Sequence, residues 1–303
     1  MKISVLTPTY NRANLISKLY ASLIKNLQYG LSVEWLIMDD GSTDITKEVV
    51  DKLIEDSKKQ NIDKNIFEIK YFYQENQGKM TAINNLVDKT TGNLIVDCDS
   101  DDWFSNDAFK IIKEAYEENK NNLENVYAFC FLKNDSNGKN MGNNFKKDRT
   151  TMFDLYFKEG ENGEKAIVFL ADVRKKYKHK LEHNEKFVTE ARLYHEMDLK
   201  YKMICVNEPI MICEYQEGGY TKNIQKQFKE NPYGYYEYFK EILNRDMSGV
   251  KLGKRIYAIK HYILFGYLTN QCTGKNIKGC KNKILYYLLY FPGILKSKKF
   301  WHI

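Results

Sequence analysis

The sequence predicts an α/β fold with a mostly parallel sheet flanked by helices, and three observations lead to this prediction. Short apolar runs alternate with amphipathic helical patterns through roughly the first 130 residues. Helices of this length between strands form right-handed βαβ units, which place the strands in parallel. A cluster of polar residues also follows each of the first four apolar runs. The predicted strands of this region are residues 3–6, 33–38, 67–73 and 93–96.

Helical periodicity connects these strands. Residues 14–27 place leucine at 15, 19, 23 and 27 on one helix face. Residues 40–44 supply a turn and an N-cap for a second helix. Residues 80–87 and 105–119 predict the third and fourth helices.

The second half of the chain departs from this alternation. Residues 207–209, Asn-Glu-Pro, predict a turn, and the polar segment 133–149 predicts a flexible loop that could serve as a lid. Helical patterns return at 188–199 and from about 225 onward. Further strands are predicted at residues 126–132, 166–170, 203–206 and 210–213.

Charge divides the chain unevenly. Its 303 residues carry a net charge of +7, yet residues 247–303 contain eleven Lys or Arg and no Asp or Glu. We therefore expect a catalytic domain over 1–222 and a helical, basic extension over 223–303. The six cysteines lack metal or disulfide spacing, and the amino terminus lacks a secretory pattern, which predicts a cytoplasmic protein.

The basic extension contains an apolar run at 284–291, followed by Pro292-Gly293 and several lysines. This run is shorter than the ~20 apolar residues that cross a bilayer. Apolar residues between lysines favour an anionic membrane surface over nucleic acid as the partner. The prediction is a peripheral protein on the inner face of the plasma membrane; a helical hairpin packed on the core is the alternative.

Four carboxylates stand within six residues after the fourth strand, and like charges this close require a compensating cation. Asp99 and Asp101 are two residues apart, so both can face one site and hold Mn²⁺ or Mg²⁺. Asp97 is expected to close the strand, and Asp102 is expected either to support the metal-binding carboxylates without contacting the ligand or to begin a helix. The alternative is an acidic N-cap cluster for the helix at 105–119.

The polar clusters after the four strands are expected to share one crevice, since the carboxyl ends of parallel strands meet at one sheet edge. This crevice would offer carboxylates for a metal, ribose or base, a lysine for phosphate and an aromatic ring for stacking. The clusters are Thr7-Pro8-Thr9-Tyr10-Asn11-Arg12, Asp39-Asp40-Gly41-Ser42, Glu75-Asn76-Gln77-Gly78-Lys79 and Asp99-Ser100-Asp101-Asp102.

Together these motifs resemble family 2 glycosyltransferases of the GT-A fold, over residues 3–105 and more weakly to about 235. The resemblance implies a Rossmann-like sheet, a nucleotide-sugar donor (usually a UDP-sugar) and a divalent cation on the Asp-x-Asp motif. It also implies inverting transfer to a growing cell-surface glycan or a lipid-linked acceptor. Asp40 would contact the nucleobase, and Asp99 and Asp101 would serve the diphosphate and metal. The donor-binding residues implied are Pro8, Thr9, Tyr10, Asp39, Asp40, Lys79, Asp99 and Ser100.

Inverting transfer needs a general base on the acceptor side. The resemblance places it at Glu190, although Ala191 stands where relatives commonly carry an Asp. Charge compensation at a helix start is the alternative role of Glu190. Relatives often carry a His in the loop at 215–221, and this chain has none there.

Three other functions compete with this prediction. His179 and His183 fit a His-x-x-Glu-His zinc pattern, but the surrounding Lys and Glu run favours a solvated surface. A sugar nucleotidyltransferase would carry a Gly-rich loop after the first strand, and this chain does not. Ala191 leaves open a catalytically weak scaffold that binds a nucleotide-sugar.

Overall fold

A nine-stranded sheet organises the protein. The structure, a computed structural model, describes residues 1–214, 223–271, 274–275, 277 and 280–301. The strand order is β3-β2-β1-β4-β8-β6-β9-β5, and β7 pairs with β9. The strands are β1 (Lys2–Thr9), β2 (Ser32–Asp39), β3 (Phe67–Tyr73), β4 (Leu94–Asp97), β5 (Trp103–Phe104), β6 (Val126–Asp135), β7 (Arg149–Thr150), β8 (Lys165–Leu170) and β9 (Lys202–Cys213).

The predicted parallel sheet is confirmed for the first four long strands, where β3, β2, β1 and β4 run in parallel. Both faces of β1 and β2 are buried, which explains their nearly continuous apolar runs. In the second half, whose strand directions were not predicted, β8 enters antiparallel between β4 and β6. The sheet is therefore mixed beyond β4.

Helices cover both faces of the sheet, and among the described residues four further helices follow the last strand towards the carboxyl terminus of the chain. They are α1 (Ile16–Asn26), α2 (Thr46–Lys59), α3 (Lys79–Val87), α4 (Ala108–Asn119), α5 (Ala171–Arg174), α6 (Glu190–Met197), α7 (Ile224–Glu230), α8 (Pro232–Leu243), α9 (Leu252–Leu268) and α10 (Cys280–Trp301). Helices α1, α2 and α4 share one apolar core with the sheet, and α3 and α6 share another. A third core joins α8, α9 and α10 to the π-helical turn Asp154–Lys158.

One local prediction was wrong. Residues 207–209 form a bulge inside β9 rather than a turn, since the register passes from Phe131↔Val206 directly to Leu132↔Pro209. Most of the segment 133–149 is a loop, as predicted, while its flexibility and its role as a lid stay predictions. Hydrogen bonds anchor this loop: the Met141 amide donates to the Lys133 carbonyl at 2.9 Å. The Phe145 amide also donates to Asn207 Oδ1 at 2.7 Å.

The C-terminal helices confirm the predicted helical extension, while its boundary at 222/223 stays a prediction. In the part of the chain that the structure describes, no helix is both long and apolar enough to cross a bilayer. The thiols of Cys98, Cys130, Cys205 and Cys213 are free.

Candidate functional site

A cleft of about 1370 Å³ opens at the carboxyl ends of the parallel strands, where the sequence places the shared crevice. The β1 loop, the start of α3 and the acidic segment after β4 form one wall. Strands β6 and β8 and helix α6 form a second wall, and helices α7, α8 and α9 add a third. The cleft therefore joins both predicted domains, and the C-terminal helices contribute Lys226, Tyr238, Lys254 and Tyr257 to it.

Asp40 fixes the loop that precedes α3. Its carboxylate is buried and accepts three hydrogen bonds, from Gln74 Nε2 at 2.7 Å and from the amides of Gln77 and Gly78 at 2.8 Å each. Gly78 has a φ of +92°, and a Cβ added there would lie 2.2 Å from the Lys186 carbonyl oxygen. Only glycine fits this position, which in turn aims Lys79 into the cleft.

Asp39, predicted to bind the donor, does not reach the cleft. Its carboxylate is 1% exposed and accepts from the Ser42 amide and the Tyr71 hydroxyl, both at 2.7 Å. Burial, together with the neighbouring Asp39, raises the pKa of the Tyr71 phenol. Of this pair, only Asp40 lines the cleft. Asp39 therefore supports the loop, and its predicted donor contact stays a prediction.

The β1 loop brings Pro8, Thr9 and Tyr10 to the cleft as predicted. The Tyr10 side chain is 47% exposed, so its ring is open to a stacking partner. Asn11 (φ +52°) anchors this loop, because its Oδ1 accepts from the Thr43 amide at 2.8 Å. The Thr9 hydroxyl is buried without a hydrogen-bond partner among the described residues, which suits an atom that awaits a ligand or a water molecule.

Lys79 connects the two halves of the candidate site. Its Nζ lies 2.7 Å from Asp99 Oδ2 and 2.9 Å from Glu190 Oε1. Burial opposes the charge of Lys79, but these two carboxylates outweigh burial and raise its pKa well above the ordinary value. The predicted donor-side acid and the predicted base therefore contact a single ammonium group.

Glu190 is the first residue of α6 and faces the cleft. The nearby ammonium of Lys79 lowers the pKa of Glu190 in spite of burial, so its carboxylate is ionised at neutral pH. The Tyr194 hydroxyl, one helical turn later, lies 3.4 Å from Glu190 Oε2. Glu190 occupies a helix start, as the alternative role requires. It also forms an ion pair with Lys79 across the cleft, which a helix start does not require.

The acidic cluster separates into groups with different surroundings. Asp102 is buried and lies 3.2 Å from Lys133 Nζ. Burial and the neighbouring carboxylates of Asp99 and Asp102 raise the pKa of Asp101 to about 6, and Arg12 only partly counters them. Burial likewise raises the pKa of Asp97, at the end of β4, to about 6. Negative charge at this point of the cleft is therefore incompletely compensated.

These residues fit a divalent cation. Asp99 and Asp101 line the cleft two residues apart, and burial and the neighbouring carboxylates oppose the negative charge of Asp101, which a cation would stabilise. No group of three or more His, Cys, Asp or Glu suited to hold a metal occurs among the residues described. A cation here would therefore take its remaining ligands from a bound diphosphate or from water.

The zinc alternative does not fit. His179 and His183 lie between α5 and α6 rather than on one helix face. Burial lowers the pKa of His179, and its ring nitrogens face no hydrogen-bond partner among the described residues. His183 instead stacks near Tyr233, with 3.8 Å between ring centroids.

Several cleft residues were not predicted from the sequence. Arg12 stood in a quoted motif without a role, and Lys133 and Glu164 carried no signal within their strand and loop patterns. Tyr194 could have been found from Glu190, since it follows at the i+4 helical position. The predicted loop at 215–221 lies outside the described residues.

Comparison with known proteins assigns the family. The sequence model of "Glycosyl transferase family 2" matches residues 4–178, more than half of the chain. The chain belongs to glycosyl transferase family 2. The match spans the β1 loop, Asp40, Lys79 and the acidic cluster, and it ends before Glu190. The predicted family and enzyme class of this glycosyltransferase are thus confirmed.

Curated relatives of this glycosyltransferase match over part of the chain. An uncharacterized glycosyltransferase of Mycoplasma genitalium is 35% identical over 116 residues, covering 38% of this chain and 37% of the relative. The GalNAc(5)-diNAcBac-PP-undecaprenol beta-1,3-glucosyltransferase of Campylobacter jejuni is 31% identical over 138 residues, covering 45% of this chain and 40% of the relative. The chain thus spans less than half the length of these relatives.

Solved structures confirm the GT-A type of fold for this glycosyltransferase. S. aureus TarS 1–349 in complex with UDP-GlcNAc superposes with a TM-score of 0.60 at 17% identity, covering all of this chain and 92% of the other. Mannosyltransferase PcManGT from Pyrobaculum calidifontis in complex with GDP-Man and Mn²⁺ superposes with a TM-score of 0.56 at 13% identity. The alignment covers 98% of this chain and 83% of the other.

Proposed function

We propose that this glycosyltransferase is an inverting enzyme that transfers a sugar from a UDP-sugar to a glycan or lipid-linked acceptor. The observation that carries the proposal is the contact of Lys79 with both Asp99 and Glu190. It brings a donor-binding carboxylate and a base within two hydrogen-bond lengths of each other. An acceptor hydroxyl and the reacting carbon of a donor could meet in the space above them.

The donor would bind along the β1 and β4 walls. Tyr10 offers an open ring to stack on a base, and the loop held by Asp40 offers polar groups to its edge. Arg12 and Lys79 supply positive charge for the diphosphate. Mn²⁺ or Mg²⁺ held by Asp99 and Asp101 would neutralise the diphosphate as leaving group. The TarS complex with UDP-GlcNAc and the PcManGT complex with Mn²⁺ support this donor and cation by fold alone.

The chemical step is a displacement at the anomeric carbon. Ionised Glu190 accepts the proton of the acceptor hydroxyl while that oxygen bonds to the anomeric carbon. The bond between this carbon and the diphosphate oxygen breaks, and UDP leaves with the electron pair. Attack from the face opposite the diphosphate inverts the configuration.

The acceptor would bind at the wall made by the C-terminal helices. Tyr238 and Tyr257 can pack against sugar rings there, and Lys226 and Lys254 can pair with phosphate. The Campylobacter relative is named for an undecaprenol diphosphate acceptor, which supports a lipid-linked acceptor here. Transfer of a sugar to a lipid-linked acceptor would require the enzyme to act at the inner face of the plasma membrane.

The test is turnover of a panel of UDP-sugars with Mn²⁺, comparing Glu190→Gln with Glu164→Gln. Both carboxylates line the cleft with similar exposure, 37% and 35%, but Glu164 lies 3.6 Å from Lys133 instead of contacting Lys79. Glu190→Gln should lower kcat by ~10²–10⁴-fold because proton transfer is lost, and UDP binding should persist because Lys79 keeps its contact with Asp99.

Other outcomes separate the alternatives. A loss of turnover in Glu164→Gln but not in Glu190→Gln would move the base to Glu164. Release of pyrophosphate from a nucleoside triphosphate would indicate a nucleotidyltransferase. Binding of UDP by the wild type without any transfer would indicate a scaffold.

A further inference from the structure

Helix α10 leaves a row of large apolar side chains uncovered. Ile284, Leu288, Phe291 and Leu295 recur at intervals of four, three and four residues, which places them on one side of the helix. Tyr287 lies beside them. Their exposed fractions are 54%, 69%, 76% and 68%, with 64% for Tyr287. We call these five residues the outer stripe.

The outer stripe belongs to a helix that is otherwise packed. Tyr286 on the opposite side is 1% exposed and belongs to the third core. Gly293 allows close packing on α9, since a Cβ added there would lie 2.8 Å from Ile263 Cγ2. The stripe therefore remains exposed after α10 has buried its inner side on α9. A continuous apolar row of this kind marks an interaction surface.

The charge around the outer stripe identifies its partner. Residues 247–303 hold eleven Lys or Arg and no Asp or Glu, and Lys283 is exposed next to the stripe. Two copies of this segment would bring like charges together, which opposes pairing through the stripe. An anionic bilayer offers both an apolar layer and negative charge. We propose that the outer stripe docks into the headgroup region of an anionic membrane.

The docking surface lies close to the acceptor wall of the cleft. Helices α9 and α10 pack side by side, with Arg255 Nη1 of α9 3.4 Å from Asn282 Oδ1 of α10. Lys254 and Tyr257 of the cleft wall therefore lie at the same end of the helix pair as the start of the outer stripe. Docking would bring the cleft near the membrane, so an acceptor could react while its lipid anchor stays in the bilayer; this last step rests on the proposed function.

The test is sedimentation of the full chain with vesicles of phosphatidylcholine, with and without phosphatidylglycerol. The variant Leu288→Glu/Phe291→Glu changes two residues of the outer stripe. Leu199→Glu is the matched control, because Leu199 is 70% exposed and lies outside α10. We expect wild type and Leu199→Glu to bind the anionic vesicles, less at high salt, and the double variant to bind at least about tenfold more weakly.

Several results would overturn the proposal. Equal binding by the double variant and the wild type would show that the stripe is not used, and equal binding to neutral and anionic vesicles would show that charge is not used. A wild-type dimer in sedimentation velocity that the double variant converts to a monomer would assign the stripe to a second copy. Unchanged far-UV circular dichroism in the double variant confirms that it is folded.

The same preparation separates this inference from the proposed function. The thermal shift of the wild type with UDP and Mn²⁺ is measured alongside sedimentation. Binding to vesicles without a shift would refute the proposed donor and leave the docking surface intact. A shift without binding to vesicles would refute the docking surface alone.

Discussion

Asp101→Asn is expected to stabilise the protein without metal and to abolish its response to metal. Burial and two neighbouring carboxylates raise the pKa of Asp101 from 3.8 to about 6. The folded protein therefore holds this proton more tightly than the unfolded chain does. The stability that protonation provides is full below pH ~4, is lost as pH rises towards 6 and is absent above that.

The size of the effect follows from the shift. A difference of about two pKa units corresponds to about 3 kcal/mol between the protonated and ionised forms, and partial exposure of the site makes this an upper limit. Asparagine at position 101 removes the ionised form. We therefore expect the free energy of unfolding at pH 7.5 in EDTA to rise by about 1–3 kcal/mol. Its fall between pH 4 and 6 should become smaller but not vanish, because Asp97 also has a pKa raised to about 6.

The assay is urea unfolding of wild type and Asp101→Asn at pH 4 to 8, in EDTA and in saturating Mn²⁺. Glu118→Gln removes one exposed negative charge far from the cleft and should change stability by less than about 0.5 kcal/mol. Mn²⁺ at a hundred times its Kd should add about 2.7 kcal/mol to the wild type and nothing to Asp101→Asn. An Asp101→Asn protein that is no more stable than wild type at pH 7.5 in EDTA would refute the reasoning.

Three other predictions follow from the cleft. Lys79→Met removes the cation that lowers the pKa of Glu190, so the acid limb of the kcat–pH profile should move to higher pH; an unmoved limb would separate Lys79 from the base. Gly78→Ala forces a Cβ against the Lys186 carbonyl at positive φ, so urea unfolding should show a loss of more than about 2 kcal/mol, and a smaller loss would show that the loop can shift. Tyr10→Ala should weaken UDP binding by about tenfold in calorimetry if the ring stacks on the base, whereas Tyr10→Phe should bind normally.

The parallel half of the fold could be predicted because its strands are buried on both faces and are separated by helices. The antiparallel half could not be predicted. A short buried run such as residues 165–170 does not indicate which strand it will pair with or in which direction. At 207–209 the residue types predicted a turn, but the strand continues through them as a bulge. Turn chemistry alone does not distinguish these outcomes.

The candidate site was predictable where a motif brings residues together along the chain. Thr9, Tyr10, Asp40, Asp99 and Asp101 share the cleft because they follow neighbouring strands. Asp39 lies outside the cleft lining, since the sequence does not show which of two adjacent acids faces the cleft. The contact of Lys79 with Glu190 joins residues far apart in sequence, and only folding brings them within 2.9 Å.

The shared ammonium of Lys79 also limits how this enzyme can change over evolution. A substitution at Glu190 that alters acceptor chemistry also removes a partner of Lys79, so it changes the charge offered to the donor. If Glu190 is the base, as proposed, donor affinity and acceptor activation are one inherited trait rather than two. A lineage that exchanges one acceptor for another would have to adjust position 79 together with position 190, and their covariation among relatives would record that history.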